Sequence, residues 1–243
     1  MKNMILSLFV LTSLVSCAQQ KNSTGDILKK AGSIFGRKDG GGLSKEDVVA
    51  GLKEALSVGA RNSADKLSSI DGFFANAAIK VLMPEEAKKV ESTLRNIGLG
   101  NMVDKAILSM NRAAEEASKS AAPIFVDAIK SISIQDAFGI LKGSDSAATI
   151  YLKGKTTVNL TNSFKPVIES ALEKTNATKY WKDVFDSYNK LPTTFNKVNT
   201  DLSGYVTDKA LTGLFYQVAL EEQKIRKDPA ARVTDILRKV FGN

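Results

Sequence analysis

Three groups of residues in this 243-residue chain could do chemistry. The first is Cys17, the only thiol, which directly follows Leu14-Val15-Ser16. A thiol is a nucleophile, and Lys2, an apolar run over residues 4–15 and the small Ser16 in front of it describe a secretory signal peptide. The second is Glu222 with Arg226 and Arg232. Residues 210–220 are apolar nearly all round and predict a buried helix, and a rotation of 100° per residue brings Glu222 within about 20° of Leu211. A carboxylate there must be paired or hold a proton. Arg226 follows one turn later in the favourable order, and Arg232 lies just past the next turn. The group reads either as an ion pair locking the last two helices or as a charged binding site. The third is Asp71, Asn76 and Lys80, polar residues among Phe73, Phe74 and Ile79. They suit a loop capped by Asp71 and plugged into the core by two phenylalanines, or a turn that faces a ligand.

What is missing narrows the chemistry further. The chain has no His and no second Cys. That excludes Ser-His-Asp and Cys-His nucleophiles, the usual zinc sites, two-His-one-carboxylate iron and imidazole proton shuttles. Carboxylate, Lys, Tyr and Ser chemistry remains. There is no P-loop, G-x-G-x-x-G, S-x-x-K or EF-hand spacing, and Gly40-Gly41-Gly42 follows no predicted strand and reads as a joint. A hydrolase built on paired carboxylates would need two acids converging in a cleft, and one tryptophan, Trp181, is sparse for stacking sugars. Composition therefore points away from an enzyme and calls for no cofactor and no metal.

Leu14-Val15-Ser16-Cys17 resembles the lipobox of bacterial lipoproteins. The resemblance implies cleavage before Cys17, lipidation of its thiol and anchoring in a bacterial envelope, with the periplasmic face of the outer membrane as the expected address. The apolar run is shorter than the ~20 residues that span a bilayer, whereas several acyl chains on one cysteine hold firmly. Lipidation leaves no thiol for a disulfide. A domain of this size needs none, because it can bury ~70% of its unfolded surface.

The elements that must hold the second and third groups are helical. Residues 17–42 form a polar, glycine-bearing tether with a mean reach of about 25–30 Å, and residues 43–243 read as a single all-α domain of about eight to ten helices. Ser44 and Asp47 predict a capped start, followed by a stripe of Val48, Leu52, Ala55, Leu56, Gly59, Ser63 and Leu67. Pro84-Glu85-Glu86 starts the next helix, and Val90, Leu94 and Ile97 carry it to a stop at Gly98. Val103, Ala106, Ile107, Met110, Ala113, Ala114 and Ala117 form a face opposed by Lys105, Arg112, Glu115 and Lys119. Pro123 opens a short segment, and Ser133 with Asp136 caps another that ends at Gly143. A run from Ala147 to Lys174 is expected to break or kink at Gly154 and Pro166. An aromatic helix from Thr178 closes before Pro192, and a last helix starts at Asp228-Pro229.

Several strings are similar to those of a bacterial family, domain-of-unknown-function family 4197 (DUF4197). They include Asp71-Gly72-Phe73-Phe74 with Asn76, Ala147-Ala148-Thr149 with Tyr151, Gly213-Leu214-Phe215, Ile225-Arg226 and Pro229-Ala230-Ala231-Arg232. The resemblance covers residues 43–243 and implies a small envelope protein or lipoprotein, with no catalytic residue to carry over.

The net charge is +8 with 34 basic residues, and removing Lys2 with the signal peptide takes it to +7. The lysines are spread among acids, as on solvated helix faces, and an envelope location makes nucleic acid an unexpected partner. Weak attraction to anionic headgroups fits the charge. Two functions follow. One is a tethered, non-enzymatic module that binds an envelope protein or a surface component. The other is a carrier or sensor of an amphiphilic small molecule. A cavity distinguishes them, since ligand sites usually measure ~300–1,000 Å³ and a scaffold is close-packed.

Overall fold

The Ser44 hydroxyl accepts the Asp47 N–H at 3.0 Å, and the Asp47 carboxylate accepts the Ser44 N–H at 3.2 Å. This reciprocal cap satisfies two donors that a helix start leaves bare, and it opens α1 (Lys45–Ser68). The computed structural model describes residues 44–178, 181–182, 201–228 and 238. Within them follow a 3₁₀ turn (Glu85–Ala87), α2 (Lys88–Asn96), α3 (Gly100–Ser118), α4 (Ala121–Lys130), α5 (Ile134–Lys142), α6 (Ala147–Lys174) and α7 (Leu202–Lys227). The described residues contain no strand, so the domain is all-α as expected. Seven α-helices fall short of the expected eight to ten; the helices expected from Thr178 and from Asp228-Pro229 lie largely outside the described residues.

Local chemistry sets most boundaries. α5 begins on a second capping box, Ser133 with Asp136, and ends at Gly143. α2 stops in a Schellman turn: Gly98 adopts φ 84°, Leu99 N–H donates to Leu94 C=O at 2.8 Å and Gly98 N–H to Arg95 C=O at 3.1 Å. Only a residue tolerant of positive φ closes this turn without strain.

α7 is the central element, packed chiefly on α6 and then on α1 and α3. All four contribute to one hydrophobic core, in which Phe73, Phe125, Phe164, Leu67, Leu152, Leu160 and Ile168 are fully buried. Phe125 of α4 meets Phe215 of α7 edge to face, with ring centroids 5.9 Å apart, the arrangement favoured by ring quadrupoles.

Four expectations are corrected. The α1 stripe begins at Val49, not at Val48. Pro84 leads into the 3₁₀ turn, so α2 proper starts at Lys88. Ile97 follows the last helical turn and is 64% exposed. α6 runs unbroken through Gly154 and Pro166. Proline removes the N–H that would pair with the Asn162 carbonyl, but Pro166 and Asn162 both lie on the exposed side of the helix, which is open to solvent.

Candidate functional site

Glu222 lies where the helical phase puts it, buried on the same stripe of α7 as Leu211, Phe215, Val218 and Ile225. α6 has Ser146 at its N-cap, yet the serine side chain makes no capping bond. Glu222 does that work from another helix. Its Oε1 accepts the Ala148 N–H at 3.0 Å, and its Oε2 accepts the Thr149 N–H and hydroxyl, each at 2.8 Å. The guanidinium of Arg226 closes on Oε1 with Nε at 3.0 Å and Nη2 at 2.9 Å. The same Nη2 donates to the Ile140 carbonyl at 2.8 Å, and Nη1 reaches the Leu141 carbonyl at 3.4 Å. One i,i+4 pair thus caps two neighbouring helices, the anion at the start of α6 and the cation at the end of α5. Each charge meets the helix-dipole end that favours it.

The Asp71, Asn76 and Lys80 group lies on a strap, residues 69–84, laid across α3 and α7. Asp71 adopts φ 67°, and its carboxylate accepts Arg112 Nη2 at 2.8 Å. Gly72 must be glycine, because a Cβ there would lie 2.5 Å from the Lys66 carbonyl oxygen and 2.6 Å from that of Leu67. The next two N–H groups, of Phe73 and Phe74, donate to Glu115 Oε1 at 3.1 and 3.2 Å. Glu115 Oε2 is held by Arg112 Nη1 at 2.6 Å, and hydrogen bonds to Glu115 and Asp71 raise the Arg112 pKa above its ordinary value. Asn76 organises a turn, its Oδ1 accepting the Ala78 N–H at 3.1 Å. The Lys80 ammonium stands 3.8 Å from the centroid of the Phe74 ring, a cation–π contact.

Two further side chains pin the strap. Asn111 makes a two-way bond to the Val81 backbone, accepting its N–H at 2.9 Å and donating to its carbonyl at 2.8 Å. Tyr205 donates its hydroxyl to the Leu82 carbonyl at 2.8 Å. Burial, with Glu86 and Glu85 adding to it, pushes the Tyr205 phenol up to about 12. Phe73 fills a slot opened by Gly213 of α7, where an added Cβ would sit 2.5 Å from the ring.

The structure therefore brings Asp71, Asn76 and Lys80 together on one strap and pairs Glu222 with Arg226. The two groups are latched to different places: Gly213 and Glu222 are about 13 Å apart along α7. Arg232 lies outside the described residues. Sequence reading missed Glu115 and Asn111. Glu115 was assigned to the solvent face with Lys105 and Lys119, yet it is 4% exposed. The available signal was their i,i+4 spacing at the border of the α3 apolar stripe.

Both Glu222 oxygens and Glu115 Oε1 receive at least two donors each, so these carboxylates act as helix and loop fasteners. Among the described residues no cluster of three or more acidic or thiol side chains gathers to hold a metal ion. The two crevices beside Glu222, bounded by Leu52, Ala55, Leu56 and Ala148 among others, measure about 10 Å³ each, room for one water at most. No described helix is long and apolar enough to cross a membrane.

No curated protein and no solved structure matches this chain. One family model does, described as "Protein of unknown function (DUF4197)", over residues 42–242. That span takes in the strap, both latches and every described helix, and the chain belongs to the DUF4197 family.

Proposed function

We propose that this protein is a lipid-anchored envelope protein, held through Cys17 at the periplasmic face of the outer membrane, and that its helical domain is a non-enzymatic binding or scaffold module. The observation that carries the address is Leu14-Val15-Ser16-Cys17 behind a basic start and an apolar run. The module reading draws support from the candidate site residues. Glu222, Arg226, Asp71 and Asn76 are engaged in backbone caps and ion pairs, as a rigid scaffold requires. A carrier of an amphiphile would need an apolar space some thirty times larger than the crevices at Glu222.

The test is metabolic labelling with a fatty-acid analogue, followed by membrane fractionation. Wild type should label and sediment with membranes, and Cys17→Ser should lose the label and leave that fraction or stall unprocessed. Unlabelled wild-type protein in the soluble fraction would end the lipoprotein reading. Native mass spectrometry of the purified protein tests the module reading separately, since a retained small amphiphile would replace it with the carrier.

A further inference from the structure

α6 is amphipathic in an unusual sense along its first half. Leu152, Thr156, Leu160 and Phe164 form its buried stripe. The opposite stripe is Ile150, Gly154 and Val158, displaced by about 160° at 100° per residue. Ile150 is 64% and Val158 71% exposed. Gly154 between them has nothing within 4 Å of where a Cβ would stand, so this side of the helix is open. Lys153 flanks the stripe on one side and Lys155 on the other. Residues 147–168 contain three lysines and no carboxylate of their own; the acids that reach these lysines lie on other elements, Asp201 at 3.6 Å from Lys165 and Asp136 of α5 within electrostatic range of Lys155.

We propose that this face of α6 lies against the headgroups of an anionic lipid bilayer, with Ile150 and Val158 entering the headgroup–acyl boundary and Lys153 and Lys155 meeting lipid phosphates. An apolar centre with lysines on both flanks is the pattern of an interfacial helix, and lysine stems lie along apolar surface while their ammonium groups reach the charge. The missing carboxylates matter because an anionic surface repels them. A second copy of the chain fits less well: two aliphatic side chains are far short of the ~800 Å² per partner that a stable dimer buries. Ala148, at the start of α6, only shares a crevice with Leu52, Ala55 and Leu56 of α1, so what favours lipid is the charge and apolarity of the face itself. The proposal rests on the tethered reading for the local concentration of lipid.

The experiment uses the full chain in phosphatidylcholine vesicles with and without phosphatidylglycerol, and compares Val158→Trp with Leu99→Trp at the α2–α3 turn. The native Trp181, 5% exposed, is the background measured on wild type. Emission from Val158→Trp should be quenched by lipids brominated in the upper acyl chain when phosphatidylglycerol is present, and Leu99→Trp should not. Replacing Lys153 and Lys155 with Gln should weaken the contact about 30-fold, at about fivefold per lysine, and salt near 1 M, where the Debye length is about 3 Å, should do the same. Equal quenching at both positions, or none at Val158→Trp, overturns the proposal. A concentration-dependent blue shift of Val158→Trp without vesicles also overturns it, in favour of a second copy. Intact mass judges the anchor independently: a Cys17 without acyl groups removes the tether, while the Val158→Trp signal still decides the face.

Discussion

Replacing Glu222 by Gln keeps the shape of the side chain and removes one acceptor oxygen and the charge. Five donors converge on the carboxylate, from Ala148 N, Thr149 N, Thr149 Oγ1, and Nε and Nη2 of Arg226. An amide can face only one side with its oxygen. If that oxygen keeps Ala148 and Arg226, the new NH₂ group confronts the Thr149 N–H, and the hydroxyl alone can turn to accept. An orphaned buried donor costs about 1–3 kcal/mol. Arg226, 12% exposed at its side chain, also loses its counter-charge, and breaking a buried pair costs up to ~3–5 kcal/mol. Its bond to the Ile140 carbonyl survives, which keeps the total at about 2–4 kcal/mol, below the full cost of a buried arginine left without any partner. Urea denaturation reads the loss as a midpoint shift of roughly 1–2 M at constant slope. A double variant, Glu222→Leu with Arg226→Met, strands no charge and should be less destabilised than the two single variants together. A Glu222→Gln shift no larger than the ~0.5 kcal/mol of a surface change would refute the latch.

Other perturbations test the strap and the surface. Gly213→Ala should destabilise by about 1–2 kcal/mol, because overpacking against Phe73 costs about 1–3 kcal/mol and the gain in helix propensity returns up to ~1; thermal melts decide it. Glu115→Gln should loosen the strap before the domain unfolds, seen as faster amide exchange at Phe73 and Phe74, with unchanged exchange counting against the clamp. Tyr205 has a folded pKa of about 12 against an ordinary 10. Its contribution is therefore complete below pH ~10 and lost as pH rises toward 12, so Tyr205→Phe should flatten the alkaline limb of stability against pH relative to wild type. Asp136 and Asp201 have lowered pKa values, set first by the Ser133 side chain and the Gly204 N–H respectively. Their contribution is present above the ordinary carboxylate value and falls away as pH drops through the folded one, which acid titration of Asp136→Asn and Asp201→Asn checks.

Which parts of this architecture could be read from sequence follows from how far each interaction reaches. Ser44 with Asp47, Ser133 with Asp136 and Gly98 act within a few residues, so each could be assigned from its neighbours alone. Glu222 was legible for a related reason: the phase of its own helix demands burial, whatever covers it. What covers it was not legible, because Ala148 and Ile140 lie 74 and 86 residues from the groups that bind them. Glu115 marks the sharper limit. Its helix has a proper polar face, and on an isolated helix Glu115 would belong to it beside Arg112 and Lys119. The aperiodic strap 69–84 lies across that face and turns part of it inward, and nothing in the pattern of α3 announces a cover made of loop. Ser146 fails in the opposite direction, a cap residue at a helix start whose side chain makes no cap because a carboxylate from α7 already occupies the end of α6. Helix ends in this fold are thus satisfied by tertiary charges as well as by neighbours, and a polar residue at the border of an apolar stripe is better read as an unassigned cap than as solvent-facing.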